Sequence, residues 1–535
     1  MKRIILSLAF AFISLFAQSP YDLKTLKTKE NSLAKDYYIY RLFEENKISK
    51  QEAKTLRPHI FRYAGKLRKE LEKFVPTRAF VDPKYVKCFN YTKSTILDAN
   101  ATCQIYRLNS LAFISSLSEQ TRNTLAYNLK NHRDLSLLLR AFNQTNALNF
   151  LIENNNTTHF VKVYNHFNTP DISLNKDYVN ELAKQKSFNN FSQKLIIKQN
   201  LPKLRSSFLL IDPQNTSEET AFHLGVNALT LNEEIKAVNF FQKAYESFKM
   251  QSKKDNALFW VYQISKDDKK LELLSKSSSL NIYSIYAKEL KNVEIKEFTI
   301  LKAKDKKNDF NMKDPFLWQS LAKKIQNAGT KELEKMAGEF NSQDTLPIYA
   351  YILERVDNFR KNYFIMPYFE YLKDYNIPRQ ALILAIARQE SRFIPSAVST
   401  SYALGMMQFM PYVATHIAQK ELKIENFDPD EMFEPKTAYF FANHHLDYLE
   451  ARLKNPVFIA YAYNGGIGFT NKMLKGSFFK PGKFEPFLSM ELVPYQESRN
   501  YAKKVLANYI VYRHLLNDNI KISSIFESLI QSTEN

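Results

Sequence analysis

The sequence predicts an all-α protein, a long array of helical hairpins followed by a second, mostly helical domain, and two observations carry that reading. Six of the ten glycines (Gly405, Gly465, Gly466, Gly468, Gly476 and Gly482) lie after residue 400, so the first 400 residues hold only four. That long stretch is rich in Lys, Glu, Leu, Ala and Phe and contains no alternating apolar-polar runs, the composition of successive helices joined by short turns. A chain of 535 residues with 45% hydrophobic content has material for about two to four domains with full cores.

At the amino terminus Met1, Lys2 and Arg3 precede an unbroken apolar or small-residue stretch from Ile4 to Ala17 and the polar turn Gln18-Ser19-Pro20. This is the pattern of a secretory signal peptide over residues 1–17. The stretch is shorter than the roughly 18 apolar residues of a bilayer span, and no later segment approaches that length, so no integral membrane segment is expected after signal removal. Export implies an oxidising compartment, where Cys88 and Cys103, the only two cysteines, are expected to form one disulfide. Two buried thiols are the alternative. Within that loop Asp98-Ala99-Asn100-Ala101-Thr102, and later Glu153-Asn154-Asn155-Asn156-Thr157, resemble the extended acceptor sequence of bacterial N-glycosylation. Asn100 and Asn155 are therefore candidate glycosylation sites, with ordinary polar loops as the other reading.

Residues 18–300 are expected to form an α-superhelical domain. Its clearest specimen is Glu218 to Phe248, where Ala221, Leu224, Ala228 and Leu231 mark one helical face and Ile235, Val238, Phe241, Ala244 and Phe248 a second. Such a hairpin must bury its apolar faces on neighbours. A second pair, opened by Ala257 to Val261, points to hairpins stacked as a solenoid. The aromatic stripe through this region reads as core. Lys304 to Lys313 carries no apolar periodicity and marks a domain edge; residues 301–362 are expected to form a linker helical domain, and residues 363–535 a separate domain.

The formal charge of +20 favours an anionic partner such as a cell-wall polymer, a phosphate-rich surface or nucleic acid. Export, and the lack of any recognisable nucleic-acid module, argue against the last. His444, His445 and Asp447 do not make a metal site, because adjacent histidines point to different faces of a helix and no third ligand follows at metal spacing. Neither a Gly-rich phosphate loop nor a Ser-His-Asp nucleophile set is present. No cofactor is expected.

Chemistry concentrates after residue 376. Asn376-Ile377-Pro378-Arg379 is a helix entry, with proline at a tolerated first-turn position. On the helix that follows, Ile383, Ile386, Ala387 and Glu390 share one face. A carboxyl at the end of an apolar stripe has its pKa raised by burial, and a protonated carboxyl near neutral pH is what general acid catalysis requires. The competing reading is a structural glutamate bonded to Arg388 or Arg392.

Three ordered blocks decide between them: Gln389-Glu390-Ser391 running through Pro395 and Ser399 to Ala403-Leu404-Gly405-Met406-Met407-Gln408-Phe409-Met410-Pro411; then Ala462-Tyr463-Asn464-Gly465-Gly466; then Val493-Pro494-Tyr495-Gln496-Glu497-Ser498-Arg499-Asn500-Tyr501. In sequence and order they resemble the catalytic signature of the soluble lytic murein transglycosylases, which share a fold with goose-type lysozyme. Met406 stands where leucine is usual, Gly465 for alanine, Ser498 for threonine, and Tyr402 at a position that is often glycine. The first three remove no group with obvious chemistry, while the bulk of Tyr402 either reshapes the sugar groove or packs.

The resemblance implies a lysozyme-like catalytic domain behind a ring-like superhelix. It further implies a periplasmic enzyme acting on peptidoglycan glycan strands, with cell-wall synthesis proteins as candidate partners. Glu390 would protonate the glycosidic oxygen between N-acetylmuramic acid and N-acetylglucosamine, then act as base on the muramic C6 hydroxyl, which closes a 1,6-anhydro ring. Ser399, Ser401, Gln408, Met410, Tyr463, Asn464 and Glu497 are the implied substrate-binding residues. Tyr463 is preferred over Tyr461 because it alone aligns with the motif, with its hydroxyl directed to the reacting carbon or to Glu390. Two other functions fit the sequence: a muramidase of the same fold, with Asp428, Asp430 or Glu431 activating water, and a non-enzymatic cell-wall-binding scaffold.

Overall fold

The computed structural model describes residues 18–75, 82–167, 170–476 and 478–531, and the expected signal peptide at 1–17 lies outside the described residues. The predicted all-α class holds: the sheet among the described residues is a parallel pairing of two two-residue strands, Thr299–Ile300 with Tyr363–Phe364. No described helix is long and apolar enough to cross a membrane.

Contacts divide the chain along lines other than the expected boundaries at residues 300 and 362. One unit draws on Met1–Thr77, Ile295–Lys472 and Asn500–Asn535, the other on Arg78–Glu294 and Met473–Arg499. Side chains far apart in sequence cause this regrouping. In the first unit, Tyr37, Tyr38 and Arg41 of the helix Leu33–Glu44 bond Asp430, and Arg41 also bonds Asp428. In the second, the Tyr283 hydroxyl donates to Glu491 at 2.6 Å and Phe259 packs edge-on against Phe487.

The second unit is a succession of short helices, many of them packed on a neighbour in sequence. The expected hairpin is present as Glu218–Thr230 and Glu234–Ser247. The second helix, however, buries Ala237, Phe240, Phe241 and Ala244 and leaves Ile235 81% exposed, a face rotated from the one read off the sequence. Phe241 and Ala244 of the predicted face remain buried, and a Cβ at Gly225 would lie 2.7 Å from the Phe241 ring: the two helices approach through the gap that glycine leaves. Ala257 to Val261 lie within the helix Gln251–Ser265 and are fully buried. Cys88 and Cys103 form the expected disulfide, with Cα atoms 4.9 Å apart.

One buried histidine makes this unit acid-sensitive. His223 Nδ1 lies 2.7 Å from the Glu219 carbonyl and Nε2 2.7 Å from the Gln193 side-chain nitrogen, an arrangement satisfied by a neutral ring. Burial, reinforced by the Arg499 guanidinium, pushes the imidazole down to about 4. Below its unfolded value near 6.5 the unfolded chain binds a proton that the folded chain refuses. Stability is therefore lost as pH falls from about 6.5 to about 4, by on the order of 3 kcal/mol in all. Urea unfolding of wild type and a His223→Gln variant at pH 7 and pH 4.5 checks this: the variant's stability should fall less with acid, and equal falls would refute the assignment.

In the first unit, helices Pro315–Asn327, Thr330–Phe340 and Leu346–Val356 enclose a core built on Met312, Trp318, Leu321, Ile325, Leu333, Met336, Ile348 and Ile352. Ile394, just beyond the predicted catalytic glutamate, belongs to the same core. The helix Ile377–Ser391 begins as the sequence predicts, with the Asn376 side chain accepting from the Arg379 amide, and it is buried continuously from Arg379 to Arg388. It ends at Arg392 in the left-handed conformation, φ 57°, and this abrupt stop leaves Glu390 in the last turn.

Candidate active site

Glu390 emerges from that buried helix half-exposed. Its Oε1 accepts a hydrogen bond of 2.7 Å from the hydroxyl of Tyr501, a residue only 5% exposed. The Tyr463 hydroxyl, expected at Glu390 or the reacting carbon, donates to the Met407 carbonyl at 2.9 Å and lies close enough to Glu390 to feel its charge. Burial, with the Glu390 charge as the next cause, pushes both phenols well above their ordinary range. Both therefore stay protonated and serve as donors. Residues from all three sequence blocks thus meet within one shell: Glu390 and Met407 from the first, Tyr463 from the second, Tyr501 from the third.

The structural reading of Glu390 as an arginine partner is not what the bonds show. Arg392 Nε pairs with Glu354 at 3.1 Å, and its Nη1 donates to the Arg388 carbonyl. Arg388 donates to the Asn508 side chain and the Tyr363 carbonyl, lies over the Phe364 ring, and faces Glu354 at 3.7 Å. Burial pushes the Arg388 guanidinium down to about 10, still charged at neutral pH.

The block from Ser399 to Met410 is a rigid turn. Ser399 Oγ accepts from the amides of Ser401 and Ala403, so it shapes the turn, while Ser401 is exposed. Gln408 donates to the carbonyls of Gly405 and Ala397, at 2.8 and 3.3 Å, and Ser391 Oγ donates to the Met406 carbonyl. Gly405 has φ +75° and no room for a side chain, since a Cβ would lie 1.9 Å from the Met432 carbonyl oxygen. Met410, half-buried, precedes the helix Pro411–His416. Tyr402 packs: it is 3% exposed and stacks on Tyr40 with ring centroids 5.3 Å apart.

Asn464 lies half-buried in the last turn of the helix Pro456–Gly465, which Gly466 closes at φ +86° with its amide bonded to the Ala462 carbonyl. Glu497 is exposed in the first turn of Gln496–Leu515 and groups by contacts with the second unit. His444 bonds Glu421 at 2.6 Å, and His445 packs against Phe409 and Tyr463. Asn100 and Asn155 are both exposed. The Asn100 side-chain oxygen caps the helix Ala101–Arg107, accepting from the Cys103 amide.

Tyr501 is the site residue that sequence reasoning did not single out. The signal was available, because it is the closing tyrosine of the third block.

The transglycosylase SLT domain matches residues 366–483. The soluble lytic murein transglycosylase of Escherichia coli strain K12 is 31% identical over 217 residues, 39% of this chain and 33% of the relative. That of Salmonella typhimurium strain LT2 is 35% identical over 139 residues, 26% of this chain and 21% of the relative. The chain thus spans a third or less of the length of these curated relatives. Among solved structures, an inactive glutamate-to-glutamine mutant of the lytic transglycosylase Slt from Pseudomonas aeruginosa superposes with a TM-score of 0.50 at 17% identity, covering 93% of this chain and 78% of that one. The similarity to Slt is one of fold.

Proposed function

We propose that this chain, a member of the soluble lytic transglycosylase family, is an exported enzyme of the periplasm that cleaves the β-1,4 bond between N-acetylmuramic acid and N-acetylglucosamine and leaves 1,6-anhydro ends. The observation that carries the reading is the Tyr501 hydroxyl bonded to Glu390 Oε1 at 2.7 Å where three motif blocks converge. That bond orients the carboxyl. Glu390, protonated, gives its proton to the glycosidic oxygen as the bond to C1 breaks; the resulting carboxylate then takes the proton of the muramic C6 hydroxyl as that oxygen attacks C1. Atoms balance without added water, and the carboxyl returns to its protonated form.

The turn from Ser399 to Met410 and the Tyr463-Asn464 turn would line the glycan groove, with Ser401, Gln408, Met410 and Asn464 against the sugar. The net charge of +20 suits an anionic wall polymer.

The muramidase alternative needs a second carboxylate to activate water, and the nearby candidates are committed elsewhere. Asp428 pairs with Arg41 and caps the turn Pro429–Phe433, Asp430 accepts from Tyr37, Tyr38 and Arg41, and Glu431 accepts from the Asp428 amide. Mass spectrometry of muropeptides released from purified sacculi separates the two. Anhydro products, lighter by one water than the hydrolytic ones, are expected; reducing-end muramic acid alone would refute the transglycosylase reading.

A further inference from the structure

We propose that Glu354, on the helix Leu346–Val356, is a positioning residue for the reaction: it holds the guanidinium groups of Arg392 and Arg388 away from Glu390 and so keeps that carboxyl able to carry a proton. The inference rests on Glu390 being the general acid, as proposed above. Glu354 precedes the segment that matches the SLT domain, residues 366–483, and none of the three motif blocks contains it.

Its geometry is that of a clamp. Glu354 is 6% exposed. One carboxylate oxygen lies 3.1 Å from Arg392 Nε and the other 3.7 Å from Arg388 Nη2. Arg392 is the left-handed residue that ends the catalytic helix, two positions after Glu390, and its side chain folds back so that Nη1 donates to the Arg388 carbonyl at 2.9 Å. One carboxylate thus neutralises two arginines that flank the catalytic residue in sequence and fixes the helix end on which that residue stands.

The charge problem explains why a clamp is needed. Groups set toward Glu390 include Tyr501 and Tyr463, both neutral donors, and its own helix supplies Arg388 and Arg392. Around Glu354 lie Arg355, Tyr512, Arg388 and Arg392, and Lys504 feels the Arg392 charge. Cations therefore outnumber carboxylates at this helix end. A guanidinium within about 4–6 Å of a carboxylate lowers its pKa by roughly 1–3 units, which would deprotonate the acid at the pH where it works. Tethering Arg392 to Glu354 prevents that approach.

The test is the pH dependence of kcat/KM on soluble glycan strands for the full chain carrying Glu354→Gln, Glu354→Asp, and Glu354→Gln combined with Arg392→Gln. In Glu354→Gln the released Arg392 is expected to move the alkaline limb to lower pH by about one unit, with roughly 10-fold lower kcat at neutral pH and a KM within about twofold. Removing Arg392 as well should return the limb toward its wild-type position. Glu354→Asp, which retains the buried charge, should shift the limb in the same direction by less, and it supplies the reading should the amide variant fold poorly. A wild-type limb in both Glu354→Gln and Glu354→Asp, or a limb that stays displaced in the double variant, overturns the proposal. Glu390→Gln is run alongside. If it remains active the general-acid reading itself fails, whereas an inactive Glu390→Gln with an unmoved limb in the Glu354 variants refutes only the clamp.

Discussion

Replacing Glu390 with glutamine is expected to lower release of soluble muropeptides from purified sacculi by about 10³-fold or more, with unfolding midpoint and sacculus binding nearly unchanged. A positioned general acid or base contributes roughly 10²–10⁴-fold, and here one carboxyl serves as acid and then as base, so the loss belongs at the upper end. The amide retains a carbonyl oxygen to accept from Tyr501, whose hydroxyl donates to Oε1 at 2.7 Å, so packing and orientation survive while proton transfer does not. That separation gives the experiment its force. Removing Tyr501 or Gly405 would disturb shape as well as chemistry, whereas glutamine at residue 390 alters the proton inventory alone. Turnover within tenfold of wild type would exclude Glu390 as the acid and base.

Glu390 was legible in the sequence as the candidate acid because its determinants are local: an entry cap at Asn376, an apolar stripe at helical spacing, and a motif whose spacing runs without a gap to Gln408. What the sequence could not reveal is where residues from distant segments return. Tyr501 lies 111 positions from Glu390, and only the motif's last letter hinted at it. Glu354 carries no motif at all. The boundary expected at residue 300 followed a change in composition, but the contact grouping is decided by pairs such as Arg41 with Asp428, 387 positions apart. Ile235 shows the same limit on a smaller scale, since helical periodicity identified the hairpin yet placed on its inner face a residue that is 81% exposed.

Tyr402 joins these two scales. At a position often occupied by glycine in the family it adopts φ +67°, a left-handed conformation that costs a bulky residue about 1–2 kcal/mol. It is held there between Tyr40, stacked at 5.3 Å, and Tyr37, whose ring centroid lies 6.2 Å away. Both belong to the helix Leu33–Glu44. The departure from the family pattern therefore goes with an amino-terminal helix packed on the motif turn, and the same helix supplies the clasp on Asp428 and Asp430.

Arg41→Ala is expected to destabilise that unit by about 3–5 kcal/mol at pH 8, the range for removing one partner of a buried ion pair, and by less at pH 5. Arg41 is 8% exposed and lies 3.0 Å from both Asp428 Oδ1 and Asp430 Oδ1. Burial already pushes the Asp430 carboxyl upward against the pull of Arg41, and without the arginine it rises further, toward a neutral acid that Tyr37 and Tyr38 still contact. A carboxyl raised in the folded state contributes stability that is present below its unfolded value near 4 and is lost as pH climbs through the folded value. The gap between wild type and variant must therefore widen with pH. Urea unfolding at the two pH values measures it, and hydrogen exchange along Leu33–Glu44 locates it. A gap that is constant or narrows toward pH 8 would mean that the clasp is not electrostatic. Because the clasped turn Pro429–Phe433 presents the Met432 carbonyl to Gly405, loosening it should also slow turnover, and an Arg41→Ala enzyme that unfolds early yet cleaves at the wild-type rate would show that the motif turn holds its shape without the amino-terminal helix.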